Sequence, residues 1–261
     1  MDNDTVRIDI TDNRTARITL NRPDVCNALN DDMINALSSA LANINTSKEI
    51  RAVIFTGAND CFCAGLDIKW MERMAQAGSD DVSRRLAHLL LQIKDLRVPT
   101  VAMIDGPCVG GGVALAVACD ISVASEEAYF ALPAVHLGAI PSIVAPFIID
   151  GIGAHLARRY LLTGERFTPE RAKDIHLIHA VCMRAQLEAT VGGFVEQLLK
   201  GGPAAIEASK ELISYCEDKP LNKKLVEDAA RRGAKHRKST EAREGLAAFL
   251  AKRLPGWAGD E

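Results

Sequence analysis

No apolar run in this sequence is long enough to cross a bilayer; the alanine-rich stretch at residues 113–118 is too short. The opening residues, MDNDTVRIDI, have neither the cationic start nor the hydrophobic stretch of a secretion signal. Strong charge of one sign is also missing. The balance of 31 Lys and Arg against 34 Asp and Glu leaves −3, which argues against a nucleic-acid binder and against a polybasic membrane protein. The seven cysteines (26, 61, 63, 108, 119, 182 and 216) are odd in number and form no CxxC pair. The six histidines are scattered and form no HExxH pairing. No metal is expected, and the thiols are expected to be reduced and structural. No low-complexity tract or internal repeat interrupts the 261 residues, which can bury a substantial core. The expectation is a soluble cytoplasmic protein with no nucleic-acid and no membrane partner.

What the sequence does contain is organised around Val101–Asp120, VAMIDGPCVGGGVALAVACD. A β-branched apolar run meets Gly106-Pro107, then Gly110-Gly111-Gly112, then an alanine-rich segment, which predicts strand, turn and helix start. Glycines at that point let a ligand oxygen approach main-chain N–H groups that the first helical turn cannot satisfy. The helix dipole adds to their preference for negative charge. Tight strand–helix packing is the other use such glycines have.

The rest of the chain reads as alternating strands and helices. Val6–Leu20 alternates as a hairpin about a polar turn, and Arg51–Gly57 is a short apolar strand. Asn30 suits a helix N-cap ahead of Asp31 and Asp32, and Thr168 with Pro169 suits another. Asn59–Lys69 opens with turn residues and offers Ala64-Gly65-Leu66 as a second small-residue approach point. Met71–Leu96 is helical in period with an interruption near Gly78-Ser79, where a mobile segment is expected. Ile121–Ala124 and Ala128–Pro133 read as short strands. The prolines and glycine of Val135–Pro146 rule out one continuous helix, and helical patterns resume at Gly153–Leu162. From about Gln186 onward every segment is helical: 186–200, 203–216, 220–236 and 239–252. An α/β core over residues 1–200 followed by a helical region over 201–261 is expected.

Several blocks of this sequence resemble the enoyl-CoA hydratase/isomerase (crotonase) family: ITLNRPDVCNALN (18–30), AVIFTGANDCFCAGLDIKWM (52–71), PTVAMIDGPCVGGGVALAVACDISVAS (99–125) and YFALPAVHLGAIP (129–141). The blocks at 157–181 and 239–257 match as well, so the resemblance covers nearly the whole chain. It implies a spiral of ββα units forming two sheets, with a C-terminal helical trimerisation region and a homotrimer or a hexamer built as a dimer of trimers. The substrate implied is an acyl-CoA thioester, with no separate cofactor because coenzyme A is part of the substrate. By resemblance the oxyanion hole maps to the N–H groups of Leu66 and Gly111, the two approach points already found. Cys26, Ala28, Ala64, Asp67 and Ile68 map to the coenzyme A site. Trp70, Met71 and Met74 either face the acyl chain or form a helical core stripe. Lys252 and Arg253 either reach coenzyme A phosphates of a neighbouring subunit or stay solvated.

The sequence departs from the family pattern at the two glutamates that move protons in its hydratases; those positions are Ala114 and Ala134 here. A methyl group neither accepts nor donates a proton. His136 is the candidate replacement, an imidazole being well suited to proton transfer near neutrality, though a structural role is the alternative. Asp120, Glu126 and Ser142 are candidates by proximity alone, and Asp120 is better placed to order a strand start. The block LGAIPSIVAPFIIDGIG and the segment GLDIKWM resemble the methylglutaconyl-CoA hydratase branch, which acts on branched dicarboxylic acyl groups. Three functions follow. The leading one is a hydratase-like acyl-CoA lyase that stabilises a thioester enolate. The second is decarboxylation or other enolate chemistry in the same hole, which needs no glutamate, and the third is a non-catalytic acyl-CoA binder.

Overall fold

The structure is a computed structural model describing residues 5–11, 13–77, 81–217 and 219–258. It begins with the expected hairpin: β1 (Val6–Ile10) pairs antiparallel with β2 (Thr15–Leu20), Val6 opposite Leu20. A short 3-10 turn at Pro23–Val25 leads to α1 (Asp31–Thr46), capped by the Asn30 side chain, which accepts from Met33 N–H. Met33, Ile34, Leu37, Leu41 and Ile44 form its buried stripe. There follow β3 (Ala52–Gly57), α2 (Ile68–Ala77), α3 (Asp81–Lys94) and β4 (Thr100–Ile104). The expected interruption at Gly78-Ser79 falls between α2 and α3, outside the described residues.

The organising stretch differs from a plain strand–turn–helix. Between β4 and α4 (Gly111–Ala118) lies a three-residue strand, β5 (Pro107–Val109), which belongs to a second sheet. Next come β6 (Ile121–Ser125), β7 (Tyr129–Ala131) and a 3-10 turn at Pro133–Leu137. The long helix α5 (Ala145–Thr163) starts earlier than the expected Gly153–Leu162, and non-helical dihedrals at Gly153 kink it. The chain continues through β8 (Arg166–Phe167), α6 (Pro169–Asp174, capped by Thr168 with Pro169 behind it) and β9 (Ala180–Cys182). The helices α7 (Leu187–Lys200), α8 (Pro203–Glu217), α9 (Lys223–His236) and α10 (Thr240–Leu250) follow, as the periodicity predicted.

The strands form a six-stranded sheet in the order β1-β2-β3-β4-β6-β9, parallel apart from β1, and a three-stranded sheet β5-β7-β8. Both faces of the larger sheet are covered. Ile18, Val53, Phe55, Ala102 and Ile104 point into the main core with α1, α3 and α4, while Ile54, Val101, Met103 and Val123 pack on Leu187, Val191 and Val195 of α7. Burial on both faces explains why the central strands read as apolar runs rather than alternating ones. α4 is apolar all round because it is enclosed: Val113, Ala114 and Leu115 have no exposed surface. Among the described residues no helix is long and apolar enough to cross a membrane.

Candidate active site

The site is built where the turn after β3 meets the start of α4. Cys63 N–H donates to Pro107 O at 3.0 Å, and Val109 N–H donates to Cys63 O at 2.8 Å. On the other side Leu29 N–H donates to Gly65 O at 2.7 Å, and Asp67 N–H donates to Leu29 O at 2.9 Å. Residues 63–67 are thus clamped between β5 and Leu29. Leu66 N–H takes part in neither ladder and meets no acceptor among the described residues. Gly65 makes this path possible: its φ is +90°, and a Cβ there would stand 2.9 Å from Val109 O.

Gly111 supplies a matching donor. Gly110 N–H donates to Ala131 O at 2.9 Å, and Gly110 O accepts from Val113 at 3.1 Å and Ala114 at 3.3 Å. Gly111 N–H, at the first position of α4, meets no acceptor among the described residues. A Cβ on Gly65 would lie 3.3 Å from Gly111 N, so the two small-residue points found in the sequence are in contact. The close fit extends to Gly112, where a Cβ would meet Cys63 O at 2.5 Å. Tight packing and an unpaired donor are therefore combined in one glycine run rather than being alternatives.

Both N–H groups belong to residues lining a cavity of about 150 Å³. Ala64, Ile68, Met71 and Leu86 line one part of it, and Ala134, Leu137, Ile143 and Val144 another. Among the described residues the Ser142 hydroxyl is the only one on a lining side chain, and none of the lining side chains is ionisable. The nearby thiols are inert: burial pushes Cys63 up to about 12 and Cys108 well above its ordinary range.

The remaining expected residues divide clearly. Ala134 reaches the cavity wall, but Ala114 is fully buried one turn into α4 and does not line it. His136 is turned away, with its Nε2 2.7 Å from Thr163 O and its ring against Gly164. It is therefore a structural link between the 3-10 turn and the end of α5. Trp70 is a core residue: it is 2% exposed, its Nε1–H donates to Asp31 at 2.8 Å, and it is not among the residues lining the cavity. Met71 does line the cavity, while the side chain of Met74 lies outside the described residues.

Asp67 accepts from Arg22 at 2.8 Å and from Trp70 N–H at 3.1 Å, capping α2. The Arg22 guanidinium holds its carboxyl below the usual range. Cys26 O accepts from Ala64 N–H at 2.8 Å and Ala28 O accepts from Arg22, so both backbones are already engaged in shaping the loop. Asp120 accepts from Thr100 N–H, Thr100 Oγ1 and Lys210 Nζ, and so orders the start of β6. Glu126 is absent from the cavity lining, whereas Ser142 is part of it. Arg253 is held by Glu244 at 2.6 Å. Sequence reasoning missed Leu86, Leu137, Ile143 and Val144; Leu86 reads only as one apolar position of α3, and the others sit in a stretch that its prolines mark as irregular.

Comparison with known proteins agrees with this architecture. The model of the family described as enoyl-CoA hydratase/isomerase matches residues 11–260. The bovine mitochondrial enoyl-CoA hydratase domain-containing protein 2 is 32% identical, over 94% of this chain and 84% of its own. Among solved structures, Pseudomonas aeruginosa AtuE is 35% identical with a TM-score of 0.93, covering 98% of this chain and all of its own. An enoyl-CoA hydratase from Shewanella pealeana is 30% identical with a TM-score of 0.92, over 97% of this chain and 96% of its own. A chain that carries paired backbone donors over an apolar cavity on this fold, and that matches the family model over almost its full length, belongs to the enoyl-CoA hydratase/isomerase family.

Proposed function

We propose that the protein is an acyl-CoA enzyme that holds a thioester carbonyl oxygen between Leu66 N–H and Gly111 N–H and stabilises the enolate derived from it. The observation that carries this reading is the pair of acceptor-free donors on the wall of one apolar cavity. As negative charge grows on the carbonyl oxygen, both donors and the N-terminus of α4 stabilise it without having to reorganise. The coenzyme A portion then leaves the cavity past Ala64 and Ile68, toward the loop carrying Cys26 and Ala28. No further cofactor is needed, because the thioester itself is the activating group.

The names of the relatives favour a hydratase-like lyase. Hydration adds water across a conjugated double bond, so one group must take a proton from water and another must deliver one to the α-carbon. Ala134 on the wall and Ala114 behind it do neither, and His136 points elsewhere. That observation favours a second reading, decarboxylation of a malonyl-type thioester. There the carbon–carboxylate bond breaks to release carbon dioxide, its electron pair forms the enolate in the hole, and solvent protonates the α-carbon. Silent acyl-CoA binding is the third reading.

A mass-spectrometric screen against unsaturated and malonyl-type acyl-CoAs separates the three. A gain of 18 mass units marks hydration, loss of 44 marks decarboxylation, and binding without change marks the binder. The double variant Ala114→Glu/Ala134→Glu is assayed beside it. Hydration by that variant alone assigns the hole to enolate stabilisation and the natural chain to chemistry other than hydration. A protein that binds no acyl-CoA at all overturns the proposal.

A further inference from the structure

We infer that the cavity selects an acyl group whose far end is an uncharged hydrocarbon of about six carbons and rejects one ending in a carboxylate, which weighs against the malonyl-type reading above. This rests on the proposed acyl-CoA reading and narrows it to a substrate class. A 150 Å³ cavity is about the size that accepts one benzene-sized apolar molecule. Beyond the two backbone donors and one hydroxyl its described walls are hydrocarbon, with Ile68, Leu86, Leu137, Ile140, Ile143 and Val144 among them. A carboxylate placed among them loses its hydration and finds no cation, because no Lys, Arg or His is among the described residues lining the cavity. Ser142 offers one hydroxyl, which cannot offset a full charge.

Lys69, Arg73 and Arg84 neighbour lining residues in sequence but are exposed and do not line the cavity, and other nearby cations are committed. Arg22 is held by Asp67 and Ala28 O, and Arg85 on α3 pairs with Asp31. The His136 ring rests on Thr163 O. Ala134 contributes to the same selection, since its methyl group adds one more apolar surface to the lining. The dicarboxylic acyl group that the branch resemblance implies therefore meets a site without a receptor for its second carboxylate.

The test is titration calorimetry of the full chain with coenzyme A, pentanoyl-CoA and glutaryl-CoA. The two thioesters have equal carbon chains and differ by a terminal methyl against a terminal carboxylate. Pentanoyl-CoA is expected to bind at least tenfold more tightly than glutaryl-CoA, with glutaryl-CoA no better than coenzyme A. Glutaryl-CoA binding as tightly as pentanoyl-CoA overturns the inference while leaving the acyl-CoA reading intact. Failure of all three ligands to bind overturns both. Ile140 lines the cavity and is 79% exposed, so Ile140→Arg is accommodated by the fold, which an unchanged thermal melt verifies. This variant is expected to bring glutaryl-CoA to at least the affinity of pentanoyl-CoA. An unchanged preference in a folded Ile140→Arg protein overturns the placement of the acyl end in this cavity.

Discussion

At the scale of single residues, the proposed chemistry depends on atoms that every amino acid has and on the few residues that leave them free. Gly111→Pro removes one N–H while keeping a dihedral suited to the first position of a helix. Loss of one such donor is worth about 3 kcal/mol, so turnover in the acyl-CoA assay is expected to fall about 100-fold, with far-UV circular dichroism unchanged. The Arg22–Asp67 pair, by contrast, acts on stability. Asn can still cap α2, so Asp67→Asn removes only the ion pair, which is expected to cost about 1 kcal/mol because solvent reaches both groups. The sign with pH follows from the lowered pKa of Asp67. The contribution is present in full above the unfolded value of about 4 and disappears as pH falls through the lower folded value. Urea titrations of both proteins between pH 7 and pH 2 are expected to show the difference shrinking only below about pH 4.

At the scale of elements, capping and glycine chemistry were legible and side-chain direction was not. Asn30, Thr168 and Pro169 announce their helices because the cap is a local interaction within three residues. The glycine run and Ala64–Leu66 announce two approach points for the same reason. His136 and Trp70 could not be assigned locally, since their partners Thr163 and Asp31 are 27 and 39 residues away. β5 escaped notice because three residues carry too little pattern, and its pairing with β7 is a tertiary choice. The kink in α5 is hidden in a sequence with glycines at both 151 and 153; only Gly153 takes φ +74° and ψ 156°, a region open essentially to glycine. No atom lies within 4 Å of a Cβ built at Gly153, so Gly153→Ala tests the backbone alone. It is expected to lower stability by about 1–3 kcal/mol in urea melts, whereas Gly193→Ala, in the middle of α7 with equally open space, is expected to be neutral or stabilising.

At the scale of the whole molecule, the C-terminal helices are tied to the larger sheet and yet left incompletely covered. Arg51, 6% exposed beside β3, donates to Leu199 O, Gly201 O and Trp257 O, gathering the end of α7 and the residues after α10 onto one guanidinium. Outward, Phe249 and Leu250 of α10 are 82% and 80% exposed. Two adjacent large apolar side chains in water fit the trimer or hexamer that the family resemblance implies. If that expectation holds, Phe249→Glu/Leu250→Glu converts an oligomer to monomers in sedimentation velocity, while a wild-type protein that is already monomeric refutes it. The two tryptophans divide along the same line. Trp257 belongs to the C-terminal tie, its Nε1–H donating to Lys200 O, whereas Trp70 lies in the core on α2, the helix that contributes Ile68 and Met71 to the cavity. The molecule thus carries its own optical gauge: with Trp257→Phe, the remaining indole emission comes from α2 alone, and occupancy of the proposed acyl site becomes readable as a change in colour and intensity without any attached dye.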